Sequence, residues 1–548
     1  MNRTAIQDQN DARNAFSERP PRTPGITTRQ ANAGKTFLVD FDGVDDPDLP
    51  YNWPTHKKIV TAFFYGFACF TSSLASGILS PAVSELSLHF HVSDEVATLC
   101  TSTLFLLGYT TGPFVWAPLS DIYGRKIPMI ISSFGFICFG AGSATAKDFQ
   151  TLALCRFFQG VMGACALMLP LSSYADFWKG ARRGYASIAF LTSVFGAPML
   201  ASPLAGFTVD NQSLGWRWCA WWTVFVGSAV FFGLMLFASE SYAPYLLKQK
   251  AVQLRVDTGD WAIHAKIEER HETLGQTLKY LLQRPFIMVC KEPILLFICI
   301  YVAFVYALIY TFLVSYEIVF VEGYHMNRGT GGLPFFGVIG GLALSAVVHM
   351  AQERYYTHWA RANDGIMVPE WRMPICITGA VAFTAGLFWF AWTAAYPRQV
   401  HWSIPAASGV ATGYGLHTIF IGSTISRSAL AAGFPMFAKQ MFHNLGVGWA
   451  NTLLACFATL LIPVPICFWL WGAQIRARST FAVDIALVPD PGRGEASRDD
   501  DTSQEKDVES AGMEMDQATD HSLETPGRDV GCPEMNLLRS DSTIVSSI

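Results

Sequence analysis

Charge is scarce in this sequence. Asp, Glu, Lys and Arg make up 15% of its 548 residues, beside 51% hydrophobic and 14% aromatic residues. A soluble domain carries about 25% charged residues, so an ordinary soluble globular protein is excluded. The 12 cysteines follow no pattern: there is no CxxC and no Cys/His spacing suited to a metal. Cys69, Cys100, Cys138, Cys155, Cys165, Cys219, Cys299, Cys376, Cys456 and Cys467 lie in or beside apolar runs, where they read as small packing residues. Neither a disulfide framework nor a metal is expected. The first 50 residues have no apolar core, so the first membrane helix is expected to act as an uncleaved signal. Gly34-Lys35-Thr36 has the ending of a phosphate loop. However, Arg29 stands where the first glycine is required, and no strand precedes it. No nucleophile constellation occurs either. The chain is therefore not expected to be an enzyme or to need a cofactor, a nucleotide or nucleic acid.

What remains is apolar sequence in long runs. A helix needs about 20 apolar residues to cross a bilayer. Runs near 59–81, 96–118, 127–146, 151–174, 185–208 and 218–238 form one set of six. Runs near 293–319, 331–351, 374–395, 403–422, 424–442 and 447–471 form a second. The expected organisation is a disordered tail 1–58, a six-helix bundle 59–239, a polar connector 240–292, a second bundle 293–475 and an acidic disordered tail 476–548. That last segment holds 16 acidic and 7 basic residues, a composition that resists burial. Amphipathic helix is expected near 242–256 and 262–283. Arg125, Lys126, Lys179, Arg182, Arg183, Arg354, Arg361 and Arg372 all fall after even-numbered spans. The loop after span 1 has Glu85, Asp94 and Glu95 but no Lys or Arg. By the positive-inside rule, both termini and the connector face the cytoplasm.

Three motifs carry chemistry. The first is Gly108-Tyr-Thr-Thr-Gly112-Pro113-Phe-Val-Trp-Ala-Pro118-Leu-Ser-Asp121-Ile-Tyr-Gly124-Arg125-Lys126. Gly108 and Gly112 share a helical face that lets a neighbouring helix approach. Pro113 and Pro118 are expected to break the helix, leaving Asp121 to pair with Arg125 or a helix end. In the second motif, Arg156, Gln159, Gly160 and Gly163 fall on one face of span 4. A buried arginine there marks either function or a bond to backbone carbonyls. The third is Gly196-Ala-Pro198-Met-Leu-Ala-Ser-Pro203-Leu-Ala-Gly206-Phe, suited to close packing and a kink.

The first motif closely resembles the signature loop between helices 2 and 3 of the major facilitator superfamily, where it latches the two halves of a transporter. The second resembles the helix 4 motif of that family's proton-coupled members. The third is similar to the antiporter motif of drug:proton exchangers, with three glycines replaced by Ala197, Ala201 and Ala205 and one proline by Ser202. Asp46-Pro-Asp-Leu-Pro-Tyr-Asn-Trp53-Pro54 with Lys57-Lys58 resembles the lead-in to helix 1 of fungal twelve-helix drug:proton antiporters. Glu240-Ser-Tyr242-Ala-Pro244, Pro369–Pro374 and Asp176 with Arg182 and Arg183 resemble the same group.

The resemblance implies an all-α integral membrane protein of two six-helix bundles with about 12 transmembrane helices. It implies plasma-membrane export of a hydrophobic or amphipathic small molecule, driven by protons, and a monomer. The alternatives are an importer or uniporter of a small solute, and a non-transporting receptor or scaffold. Asp121 and Arg125 would form the gate, Arg156, Gln159 and Gly160 would serve proton coupling, and Pro198 and Gly206 would shape the helix 5 kink.

Tyr306, Tyr310 and Glu317 are candidates for the substrate cavity. The family often has an acidic residue near 314, where this chain has Val314, and Glu317 reads as a carboxylate at headgroup level. His349 and His417 read as packing histidines. Trp53, Trp216 and Trp218 read as interfacial anchors. Asn211-Gln-Ser213 is a glycosylation sequon in a very short loop. Residues 403–443 must supply two spans without room for a loop. The expectation is that a deletion or mis-splicing of the gene has removed roughly two dozen residues here, the alternative being that helices 10 and 11 are shortened and still span.

Overall fold

In the computed structural model, the described residues are 37–269 except 44 and 212, 293–362, 373–419 and 440–477, with the single positions 283, 371 and 438. Residues 1–36 and 478–548 of the two expected tails, the 424–437 part of span 11 and most of 270–292 lie outside them. The first six long helices are α1 (Thr55–Gly77), α2 (Leu104–Tyr123), α3 (Lys126–Ala144), α4 (Phe149–Phe177), α5 (Gly180–Asp210) and α6 (Trp216–Phe237). The connector contributes α7 (Ala243–Thr258). There follow α8 (Pro293–Tyr316), α9 (Arg328–Gly332), α10 (Phe335–Ala362), α11 (Met373–Ala394), α12 (Ser403–Ile419), α13 (Val447–Leu461) and α14 (Pro463–Ala477). Among the described residues, eight helical stretches are long and apolar enough to cross a membrane. Their outward faces carry Phe63, Phe134, Phe232, Leu236 and Trp449 in the open, as lipid-facing helices require.

Arg125, Lys179 and Arg182 mark one end of the bundle, called the basic end below. Glu85 and Asp94 mark the other.

The helix ends follow local chemistry, with one departure from expectation. Pro113 and Pro118 do not break the second span: α2 runs through both to Tyr123. Membrane helices tolerate proline because neighbouring groups satisfy the freed carbonyls. The stop is Gly124, whose φ of +82° is open to glycine but strained for other residues. At its other end, α2 is preceded by a π-helical turn, Leu99–Thr103.

Among the described residues, the strands form one parallel bridge of two residues each, β1 (Phe37–Leu38) and β2 (Ile263–His264). This bridge corrects two expectations. Residues 262–269 form a strand and turns rather than helix, and the 37–54 part of the supposed disordered tail is folded. Val39 packs with Ala251, Leu254, Ile263 and Ala265 in a small core of their own. Asp46 accepts hydrogen bonds from the N–H groups of Asp42 (2.8 Å) and Asp48 (2.9 Å) and faces Lys250 at 3.5 Å. Burial alone would raise the Asp46 pKa, but these N–H groups and the Lys250 charge outweigh it and hold the carboxyl below 3.8. A polar composition concealed this segment because its core is only five residues wide.

Trp53 and Trp216 are buried packing residues, 6% and 2% exposed. Trp53 stacks on Phe177 at 5.9 Å under the Lys57 ammonium. Of the three tryptophans, Trp218 alone is exposed.

Candidate functional site

Four polar or close-packed centres are built into the first bundle and its seam with the second. The first lies at the basic end. Arg125 Nη1 donates to Ser120 Oγ (2.8 Å) and Asp121 Oδ1 (3.2 Å), and Nε faces Asp176 Oδ2 at 3.6 Å. The guanidinium also lies 4.5 Å from the centre of the Tyr242 ring, a cation–π distance.

Glu240 completes this knot. Its carboxylate accepts from the N–H groups of Arg125 (2.8 Å) and Lys126 (2.9 Å), and also from those of Ser241 and Tyr242. It therefore caps the N-terminus of α3, where the helix dipole favours an anion. It lies so close to Gly124 that any Cβ there would collide with it. Ser241 Oγ donates to Asp176 (3.3 Å). Asp121 and Arg125 thus meet as expected, while Asp176 and Glu240 were read only as family marks. Their chemical partnership is invisible to local spacing, because Glu240 is 115 positions from Arg125. Lys126 contributes its backbone to the knot.

The second centre is Arg156, 2% exposed. Its Nη2 donates to the carbonyls of Ala75 (2.9 Å) and Thr101 (2.6 Å), its Nη1 to Gln159 Oε1 (3.1 Å). The Phe105 ring centre lies 4.4 Å away. Thr101 is inside the π-turn, where the shifted bonding pattern leaves carbonyls to be claimed by side chains. Arg156 and Gln159 therefore come together, and Arg156 joins α1, the start of α2 and α4. Gly160 backs this contact: a Cβ on Gly160 would strike Phe105 O, and one on Gly108 would strike Phe157 O. Gly112 faces Ala164. The spacing that predicts a close neighbour for Gly108 and Gly112 is met by α4.

The third centre is the seam between the halves. Pro203 lies against Gly332, and Gly206 against Arg328 and Gly329. Asp210 accepts from Gly329 N (2.8 Å). Pro198 faces Gly77 of α1, and Gly196 approaches Leu342. The glycines of α9 are the partners that the sequence reading missed; Gly329-Thr-Gly331-Gly332 is their signal.

Tyr306 and Tyr310 are 3% and 2% exposed. Their hydroxyls lie 3.4 Å apart, and Tyr310 donates to Ser76 Oγ (3.0 Å), across to α1. They are packed across the seam. Glu317 is half-buried. It starts a π-turn after α8 and shares a small crevice with Ser80, Ser202 and Arg328, at the end opposite the basic one. Asn211 is exposed, but its Oδ1 accepts from Ser213 N (3.1 Å) and Oγ (2.6 Å).

The fourth centre is a laterally open groove of about 550 Å³ between α1, α4 and α5, with the outward-facing Phe63 on its rim, within the size range of small-molecule sites. Its walls include Phe63, Phe67, Phe70, Trp178, Tyr185 and Phe190, with Ser193 and Arg182 as polar groups. Aromatic walls of this kind suit flat or amphipathic molecules. Sequence reasoning missed this groove because one wall comes from α1, far in the chain from the α4 and α5 that form the other.

Comparison with known proteins agrees with this architecture. The family model described as Major Facilitator Superfamily matches residues 65–451. The chain is 37% identical over 465 residues to the Candida albicans major facilitator superfamily multidrug transporter FLU1, covering 81% of this chain and 76% of that protein. It is 36% identical to the Candida glabrata multidrug transporter TPO1_2, covering 86% and 84%. It is 38% identical to the citrinin biosynthesis cluster MFS transporter mrr1 of Monascus ruber, covering 81% and 92%. Among solved structures, the partially occluded inward-open xylose transporter XylE from E. coli superposes with a TM-score of 0.53 at 15% identity, covering 75% of this chain and 99% of that one.

Proposed function

We propose that this chain, which belongs to the major facilitator superfamily, exports a hydrophobic or amphipathic small molecule in exchange for protons across the plasma membrane. The basic end faces the cytoplasm in this reading, because Lys and Arg in short loops are retained there. Export is supported by relatives named as multidrug and biosynthetic-cluster transporters. The observation that carries the substrate class is the aromatic groove, which opens in the basic-end half of α1 and α5. A molecule partitioned into the inner leaflet would reach it there.

The gate is the Arg125 knot. Asp121, Gly124, Arg125 and Lys126 tie α2 and α3 to the connector through Glu240, and Asp176 brings in α4. Gly108 and Gly112 seat α2 against α4, and α2 continues unbroken through Pro113 and Pro118, so the two helices move together. At the far end, Pro198, Pro203 and Gly206 allow α5 to close on α9. Arg156, Gln159 and Gly160 hold the helices around the coupling site.

The test uses proteoliposomes containing the full chain and rhodamine 6G, a fluorescent amphipathic cation, together with neutral azole and aromatic polyketide probes. Acid-driven movement of at least one probe, abolished by a protonophore, is the expected result. Flux that is indifferent to the proton gradient, or net accumulation in expressing cells, favours an importer or uniporter.

A further inference from the structure

We propose that His349 and His417 form a proton-binding site set across the seam between the two halves, and that its charge state governs how tightly α5 holds α10 and α12. The proposal deepens the proton-exchange reading and rests on it for the use the proton is put to.

His417 is fully buried and His349 is 4% exposed. Their ring centres lie 5.4 Å apart at an interplanar angle of 74°. The first half reaches this pair through α5. Thr192 Oγ1 lies 3.2 Å and Ile188 O 3.5 Å from His417 Nε2. From α10, Ser345 Oγ lies 3.0 Å from His417 Nδ1 and 3.3 Å from His349 Nδ1. The Ser345 carbonyl lies 2.9 Å from His349 Nδ1.

Donor and acceptor rules fix the protons of the neutral network. A carbonyl can only accept, so His349 Nδ1 carries a hydrogen toward Ser345 O. Thr192 donates its single hydroxyl hydrogen to Ile188 O (2.9 Å), so its oxygen must accept from His417 Nε2–H. That leaves His417 Nδ1 as an acceptor, served by the Ser345 hydroxyl. The bonds then run in one direction, from His349 and Ser345 through His417 to Thr192 and Ile188.

Protonation changes the network at a defined atom. When His417 Nδ1 takes a proton, only an N–H bond forms. The Ser345 hydroxyl hydrogen must turn away, and its oxygen then accepts from both rings. A second proton, on His349 Nε2, puts two positive rings side by side in a buried seam, where low dielectric strengthens their repulsion. The contact that gives way is the one between α5 and the two helices carrying the rings.

A buried carboxylate stands beside this pair. Ser345, His349 and Glu353 recur every fourth residue on α10 and so share one face. Glu353 is 6% exposed and lies against Gly184 of α5 so closely that no Cβ fits there. It stands one turn nearer the basic end than His349, where it can pass a proton between water and the pair. Among the described residues, the other titratable groups on the surrounding elements are Tyr185 and Asp210 on α5, Tyr355, Tyr356 and His358 on α10, Tyr414 on α12 and Cys376 on α11; Tyr355, His358 and Asp210 are exposed. Arg182, Arg183 and Arg354 are exposed at the basic end.

The test is hydrogen exchange of α5, α10 and α12 in the purified full chain between about pH 8 and about pH 4, a window that extends below the usual histidine range, corrected for the intrinsic rate. Protection across the seam should fall with pH in the wild type and stay flat in H417Q and in H349Q, whose amides mimic a neutral ring. E353Q should retain the pH response but reach it more slowly after a pH jump. A flat wild type, or the same response in both histidine variants, overturns the proposal. Proteoliposome flux separates this failure from that of the exchange reading. A wild type without acid-driven flux rejects proton exchange and leaves the seam measurement standing. Acid-driven flux that survives in the H349Q/H417Q double variant rejects the site alone. The expected loss is at least about fivefold in acid-driven flux, a typical coupling strength, with counterflow exchange retained.

Discussion

Arg125 and Arg156 are two guanidiniums in one bundle, held in opposite ways. Arg125 sits at the basic end, its side chain 12% exposed, with Asp121 and Asp176 as carboxylate partners. Arg156 is 2% exposed and is held by two carbonyls, an amide and a ring. Carboxylates can be exchanged for other carboxylates or for water at a surface, so Arg125 can let go. Backbone carbonyls move only with their helices, so Arg156 moves as part of a block. The comparison separates a releasable clasp from a permanent stitch, although both were legible as charge near a membrane.

The largest effect should come from breaking the stitch. Arg156→Leu leaves Ala75 O, Thr101 O and Gln159 without a donor, at roughly 1–3 kcal/mol each. That sum rivals the roughly 5–15 kcal/mol that holds a typical domain. Fluorescence-detected size exclusion should show loss of the monodisperse peak, with Arg156→Lys intermediate. A well-folded R156L protein at wild-type yield would erase the contrast.

Next comes the clasp. Arg125→Gln and Asp121→Asn should preserve the elution profile yet cut flux by about tenfold or more, a barrier change of roughly 1.4 kcal/mol. Asp176→Asn sharpens the comparison by asking which carboxylate matters more. Equal loss of folding and flux in all three would make Arg125 a stitch as well.

Glu240→Gln should be milder. One carbonyl oxygen still caps α3, and the lost charge–dipole term is about 0.3–1 kcal/mol. A melting point lowered by a few degrees, with flux partly retained, is the expected outcome.

The smallest effect lies outside the membrane and depends on pH. The Asp46 carboxyl is held below its unfolded value of 3.8. Its contribution is therefore complete above that value and lost as pH falls through the lower folded one. Limited proteolysis within 37–54 should be constant from neutral pH down to about pH 4 and rise only below it. Asp46→Asn should raise cleavage already at neutral pH, without changing flux.

The sequence made the helical spans legible because a bilayer imposes one length and one polarity on each. It also showed what one helix face can show: Gly108 with Gly112, Asp121 with Arg125, Arg156 with Gln159. It did not show partners brought together by folding. Glu240 caps a helix that starts more than a hundred residues earlier, and the glycines of α9 make sense only beside Pro203 and Gly206. His349 and His417 each read as isolated packing residues because their pairing needs two helices and their bonding needs a third. Proline misled the reading of α2 because rules drawn from soluble helices overstate its power as a breaker inside a membrane.

The β1–β2 bridge has a consequence for how the chain is made. Phe37 and Leu38 pair with residues about 225 positions later. At translation speeds of roughly 5–20 residues per second, their partner strand emerges some 10–45 s after them. During that interval the first six spans are inserted while the leading segment waits without its strand. The bridge can close only on a first half that has been completely synthesised, which makes it a marker of finished assembly as well as a fastening.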